Sequence, residues 1–136
     1  MRGRVQHLNP EELHKNPSYS QAVVATGNIK TVYVGGQNAV NTSGEVIRKG
    51  DIVAQAEQIF KNLKTALATG EAKLEHVIKW NIYVVQGQPP QPAFEVFQRV
   101  WGNRPNPPLI TLLFVSGLAH PDYLMEIEAV AVIPEE

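Results

Sequence analysis

The chain closes on Met125-Glu126-Ile127-Glu128-Ala129-Val130-Ala131-Val132-Ile133, and the alternation in this stretch decides how the rest is read. Successive side chains of a strand point to opposite faces. Taken as a strand from Tyr123 to Ile133, the segment puts Met125, Ile127, Ala129, Ala131 and Ile133 on one face, an apolar row suited to packing under helices. The other row is Leu124, Glu126, Glu128, Val130 and Val132. A face left to water would be polar throughout, yet three of these five are branched aliphatics. Leu109 to Val115, within a strand expected from Leu109 to Ser116, is apolar on both sides as well, and such strands need both faces buried. Helices can cover only one face, so another subunit is expected to cover the other, with two carboxylates in or beside the interface.

Working back from that strand, the breaker-rich segments Gly87 to Pro92 and Gly102 to Pro108 read as loops between elements. Between them a helix is expected from about Pro92 to Gly102, with Ala93, Val96, Phe97, Val100 and Trp101 on one side. Val77 to Val85 reads as a strand. A longer helix runs from the N-cap Asp51 to about Thr69. Its apolar stripe is Ile52, Val53, Ala56, Ile59, Phe60, Leu63 and Leu67, and Gly70 is its C-cap. Ahead of it come a short extended Glu45 to Ile47, two strands (Ala22 to Ala25, Thr31 to Val34) joined by a turn at Gly27-Asn28, and a polar N-terminal arm. The sum is an α+β subunit with both helices on one face of a mixed sheet.

The 136 residues suit one domain, residues 1–136. Lys plus Arg number 12 against 13 Asp plus Glu, a balance that lacks the basic stripe of a nucleic-acid binder. Absence of cysteine removes disulfides, thiolate metal sites and cysteine nucleophiles. The N-terminus shows no apolar targeting segment and no run is long enough to span a membrane, so the expected location is cytoplasmic.

Among the side chains that carry chemistry, Glu126 stands first, as a general acid/base or water-positioning carboxylate. The competing reading is a rim carboxylate paired with a lysine or arginine. His7, His14, His76 and His120 are too scattered to form a metal site. His120, in the turn Gly117 to Asp122, is either a pocket rim or an exposed loop residue. Gly35-Gly36 ends a strand as a bulge or turn, or presents backbone to a ligand. Trp80 and Trp101 sit at core positions.

Several segments then line up with one family. Pro17-Ser18-Tyr19-Ser20-Gln21-Ala22-Val23, Tyr33-Val34-Gly35-Gly36-Gln37, the Asp51 helix with Gln55-Ala56 and Asn62-Leu63-Lys64, and the closing Glu126-Ile127-Glu128-Ala129 resemble the Rid family. These are the reactive-intermediate enamine/imine deaminases, also called YjgF-like or L-PSP endoribonuclease-like proteins. The resemblance implies a chorismate-mutase-like α+β subunit in a homotrimeric barrel, with small-molecule sites in clefts between subunits and no metal or organic cofactor. It implies Tyr19 and Gly36 as ligand contacts and Glu126 as the carboxylate that orients water.

The chain departs from the family where deaminating members carry a substrate-binding arginine: that position is Ile110, in Pro108-Leu109-Ile110-Thr111. A thiol-bearing family position falls on Leu112, and one that is often asparagine falls on Phe94. Ile110 and Leu112 are therefore expected to line the substrate site as an apolar wall. Arg104, in the proline-rich loop, is either a substitute cation at the pocket rim or an exposed residue. Three functions follow as alternatives: hydrolysis of enamines or imines that lack a carboxylate, non-catalytic binding of a small ligand or protein, and RNA cleavage. The last lacks the paired acid/base groups and cationic phosphate site that it requires.

Overall fold

The Asp51 carboxylate accepts a hydrogen bond from the Ala54 amide at 3.0 Å, satisfying one of the free donors of a first helical turn. The helix it starts, Ile52–Thr69, is α1 of the computed structural model, which describes residues 1–136. Its buried side is Ile52, Gln55, Ala56, Ile59, Phe60, Leu63 and Leu67. The expected stripe differs in the first turn, where Val53 is turned outward and Gln55 is buried instead. Gly70 follows the helix with φ −91°, and the left-handed residue is Glu71 at φ 64°. Glycine is needed at 70 for proximity: a Cβ there would stand 2.8 Å from the Val32 side chain.

The strands are β1 (Arg4–Leu8), β2 (Ala22–Thr26), β3 (Ile29–Gln37), β4 (Val77–Val85), β5 (Leu109–Val115) and β6 (Met125–Pro134), and the second helix is α2 (Pro90–Trp101). Four of them form a sheet in the order β3-β6-β4-β5. β6 pairs antiparallel with β3 and β4, while β4 and β5 are parallel because α2 carries the chain across between them. Both helices pack on one face, as the alternation of β6 required.

Several elements differ from expectation; β3 runs longer, over Ile29–Gln37, and β6 starts at Met125 instead of Tyr123. The N-terminal arm is a strand, β1, paired antiparallel with β2 from Arg4↔Thr26 to Leu8↔Ala22. Glu45 to Ile47 forms no strand; only Val46 pairs, with Val40. α2 begins at Pro90, two residues earlier, where proline needs no amide partner.

The core joins 23 buried residues, with Phe60, Trp80 and Phe97 at its centre. Trp80 stands nearly perpendicular to Phe60 and Phe97, with centroids 5.9 and 6.4 Å away, a favoured arrangement of ring quadrupoles. On β6 the row Met125, Ile127, Ala129 and Ala131 is buried. The second row is only partly open: Leu124 and Val132 are buried by the chain itself, leaving Glu126, Glu128 and Val130 half-exposed. On this helix-free face of the sheet the uncovered large side chains are Tyr33, 79 % exposed, and Leu113, 50 % exposed. No helix is long and apolar enough to cross a membrane.

Candidate functional site

Between Val34 and Gln37 the β3–β6 register slips, so the Gly35-Gly36 pair is a bulge inside the strand. The slip brings the Gly36 backbone beneath the Glu126 side chain. A Cβ at Gly36 would overlap Oε2, Cδ and Cγ of Glu126, whereas one at Gly35 would meet nothing within 4 Å. Glu126 pairs with Tyr83 across β4 and therefore lies on the helix-free face. Its setting is held from α1. Gln55 accepts from the Leu124 amide at 3.0 Å and donates to Asp122 O at 3.1 Å, fixing the start of β6. Asn62 donates to the Asn38 and Val40 carbonyls at 3.0 Å, and Asn38 donates to Met125 O at 3.2 Å. Glu126 and Gly36 are thus brought together.

Next to them lies a cluster that sequence reasoning missed. The Tyr83 hydroxyl donates to Glu128 Oε1 at 2.7 Å and Asn81 Nδ2 donates to the same oxygen at 2.9 Å. Hydrogen bonds to the charged form favour it. Asn81 and Tyr83 therefore hold the Glu128 carboxyl below the usual carboxylate range, with Lys79 adding a smaller attraction. The same bond pushes the Tyr83 phenol up, and Glu128 and Glu126 add repulsion against a phenolate. Glu128, Asn81, Lys79 and Tyr33 line a shallow hollow of about 340 Å³ on this face. The available signal was period 2: Asn81 and Tyr83 alternate with buried Trp80, Ile82 and Val84.

Tyr19, Ile110 and Leu112 are brought together elsewhere. The Ser20 amide donates to Pro108 O at 3.1 Å and its hydroxyl donates to Pro107 O, so the loop carrying Tyr19 is tied to the chain entering β5. His7 also bonds Ser20, at 2.9 Å, and burial pulls this imidazole below its ordinary value. Tyr19, Ile110 and Leu112 line a cleft of about 490 Å³ together with Phe94, Phe97, Ile82 and the polar rim Asn16, Ser18 and Gln21. That is ample for a small ligand. Ile110 and Leu112 pair in register with Trp80 and Ile82 and so share the helix side of the sheet. Within one chain, then, Gly36–Glu126 and Tyr19–Ile110–Leu112 occupy opposite faces.

Arg104 is committed away from this cleft. Its guanidinium donates to Val100 O at 3.1 Å and Trp101 O at 2.9 Å, capping the end of α2, and stands 3.8 Å from Glu75. His120 accepts from the Asp122 amide at 3.0 Å and packs on Tyr123 in the loop before β6. No three of the histidine, aspartate and glutamate side chains converge as metal ligands would.

This geometry has relatives. The family model described as Endoribonuclease L-PSP matches residues 10–133. The chain belongs to this family. Within it, a RutC family protein of Pyrococcus horikoshii is 34 % identical over 113 residues, 83 % of this chain and 85 % of that one. A Rid-family protein of unknown function from Yersinia pestis, YyfB, has a crystal structure that superposes with TM-score 0.82 at 30 % identity, covering 95 % of this chain and 98 % of that one. A 2-iminobutanoate/2-iminopropanoate deaminase of Dermatophagoides farinae is 39 % identical over 66 residues, 48 % of this chain and 49 % of that one. The α+β subunit with two helices on a mixed sheet is thus the Rid/L-PSP fold.

Proposed function

We propose that this protein forms a homotrimer whose clefts join Gly36–Glu126 of one subunit to Tyr19–Ile110–Leu112 of the next. Each cleft holds a small molecule without a carboxylate and hydrolyses its imine or enamine form. The observation that carries the reading is the Glu126 carboxylate seated over the Gly36 backbone, on a face whose Tyr33 and Leu113 remain uncovered. A carboxylate held on rigid strands can take a proton from water as that water attacks the imine carbon. The C–O bond forms as the C=N π bond opens and the proton taken by Glu126 is passed to nitrogen; the carbinolamine hydroxyl then gives up its own proton to the nitrogen as the C–N bond breaks, so both water protons leave with it, giving a ketone and ammonia. Ile110 offers no donor for the bidentate pair that an arginine makes with a carboxylate, which supports uncharged substrates.

Ammonia release from uncharged imines generated in solution tests the chemistry. Wild-type protein is expected to exceed the spontaneous rate, and Glu126→Gln to lose about a hundredfold of that excess, the usual contribution of a positioned base. Equal release with both proteins overturns hydrolysis. The apolar replacement at Ile110 favours a second reading, ligand binding without turnover. In that case ligand stabilisation of melting survives Glu126→Gln while neither protein releases ammonia. Sedimentation tests the assembly: Leu113→Lys is expected to lower the native mass to one chain, and an unchanged mass removes this face from the interface.

A further inference from the structure

We infer that the groove between α2 and β5 is built for a flat aromatic group on an uncharged molecule, with Phe94 setting that specificity. This deepens, and rests on, the reading of the Tyr19–Ile110–Leu112 cleft as a small-molecule site.

Lining chemistry comes first. None of the residues that one chain contributes to the cleft is charged, and the only ionisable group proposed to face it from the next subunit is the carboxylate Glu126; the floor is Ile82, Phe94, Phe97, Ile110 and Leu112, and only the rim is polar. The arginines on and just past α2 are engaged elsewhere: Arg99 pairs with Glu57 at 3.2 Å and Arg104 with Glu75 and the α2 carbonyls. A carboxylate drawn into this groove would lose water and gain no counter-charge, a large cost. A neutral amide, imine or carbonyl could instead meet the side chains of Ser18, Tyr19 and Asn16 at the rim.

Shape points the same way. Phe94 lies against Phe97 with centroids 6.0 Å apart and planes 29° apart, and Phe97 continues onto Trp101 at 6.3 Å and 15°. These rings form a stacked ladder at helical spacing, buried at Trp101 and Phe97 and half-buried at Phe94. Phe94, the outer and more exposed member, lines the cleft together with Phe97, so a ligand ring can extend the stack at Phe94 without breaking a contact. Behind the floor lies a void of about 20 Å³ whose walls include Phe94, Phe97, Ile82 and Leu112, the same side chains that line the cleft. Being apolar, it suits a methyl or ring edge better than water.

Calorimetric titration of the full chain with benzamide, benzoate and acetamide tests the inference, since the first two share ring and shape but differ in charge and in the amide donor, and the third lacks the ring. Wild type is expected to bind benzamide at least about tenfold more tightly than either of the others. Phe94→Ala should erase most of that preference and Phe94→Leu part of it, with far-ultraviolet dichroism unchanged. Ile110→Arg should bind benzoate over benzamide. If benzamide, benzoate and acetamide bind alike, or if Phe94→Ala leaves the ranking intact, the aromatic assignment is overturned. If wild type binds none but Ile110→Arg takes benzoate, the cleft stands as a ligand site and only the assigned class fails. If no probe binds any of the variants, the cleft reading itself fails.

Discussion

The two faces of β6 carry residues from one continuous stretch, yet they do different work. Met125, Ile127, Ala129 and Ala131 are sealed under α1 and α2, where each side chain is surrounded by others and every methylene counts. On the reverse, Glu126 and Glu128 are half-exposed and organised by hydrogen bonds and one close backbone approach. The buried face sets how stably the chain folds. The open face sets where two carboxylates stand.

Ile127→Ala, at a residue 1 % exposed and lining the internal void, should cost about 3 kcal/mol, read as a lower urea midpoint. Glu126→Ala, one position away, should stay within about 0.5 kcal/mol. Similar costs for the two would erase the distinction between the faces. Gly36→Ala should displace the Glu126 carboxylate at a folding cost of about 1 kcal/mol and abolish ammonia release, while Gly35→Ala leaves both unchanged. An active Gly36→Ala would show that the close approach has no functional role.

Smaller effects come from titration. Since the Glu128 carboxyl is held low in the folded chain, its stabilising contribution is present above the ordinary glutamate value and is lost as pH falls through the folded value. Tyr83→Phe should move Glu128 back toward the ordinary value, visible as an upward shift of its carboxyl resonance titration. An unmoved midpoint would assign the depression to Asn81 and Lys79. Smallest is the contribution of His7. Its imidazole is also held low, by burial, so the unfolded chain takes up a proton first as pH falls below about 6.5, and stability declines there. His7→Asn should flatten the melting temperature between neutral and mildly acid pH; an unchanged slope would place that proton uptake elsewhere.

Local patterns made much of this legible. The Asp51 cap, the stripe of α1, the β4 boundaries and the rows of β6 all follow from neighbours within a few residues. β1 did not, because Arg4-Val5-Gln6-His7-Leu8 becomes a strand only by pairing with β2, which lies well along the chain. The burial of Gln55 was not legible for a similar reason: an amide belongs in a core only where backbone groups wait to bond it, here the Ile47 and Arg48 carbonyls just before the helix and the Asp122 carbonyl and Leu124 amide far along the chain. Glu126 and Gly36 could be named from the sequence. Their contact required the β3 bulge, and the Tyr83–Glu128 bond required the β4–β6 register.

By itself, then, the sequence determined both helices and the sheet strands β3 to β6 in outline, the family, the chain's near-neutral charge and the absence of an arginine at Ile110, since each is a property of residue identity and short-range spacing. Only the tertiary structure decided that Glu126 and Ile110 stand on opposite faces of the sheet, that Arg104 caps a helix, and that Leu124 and Val132 are already covered. Those outcomes depend on strand register and on which distant segments fold over them, and hydrophobic pattern along a single strand carries neither.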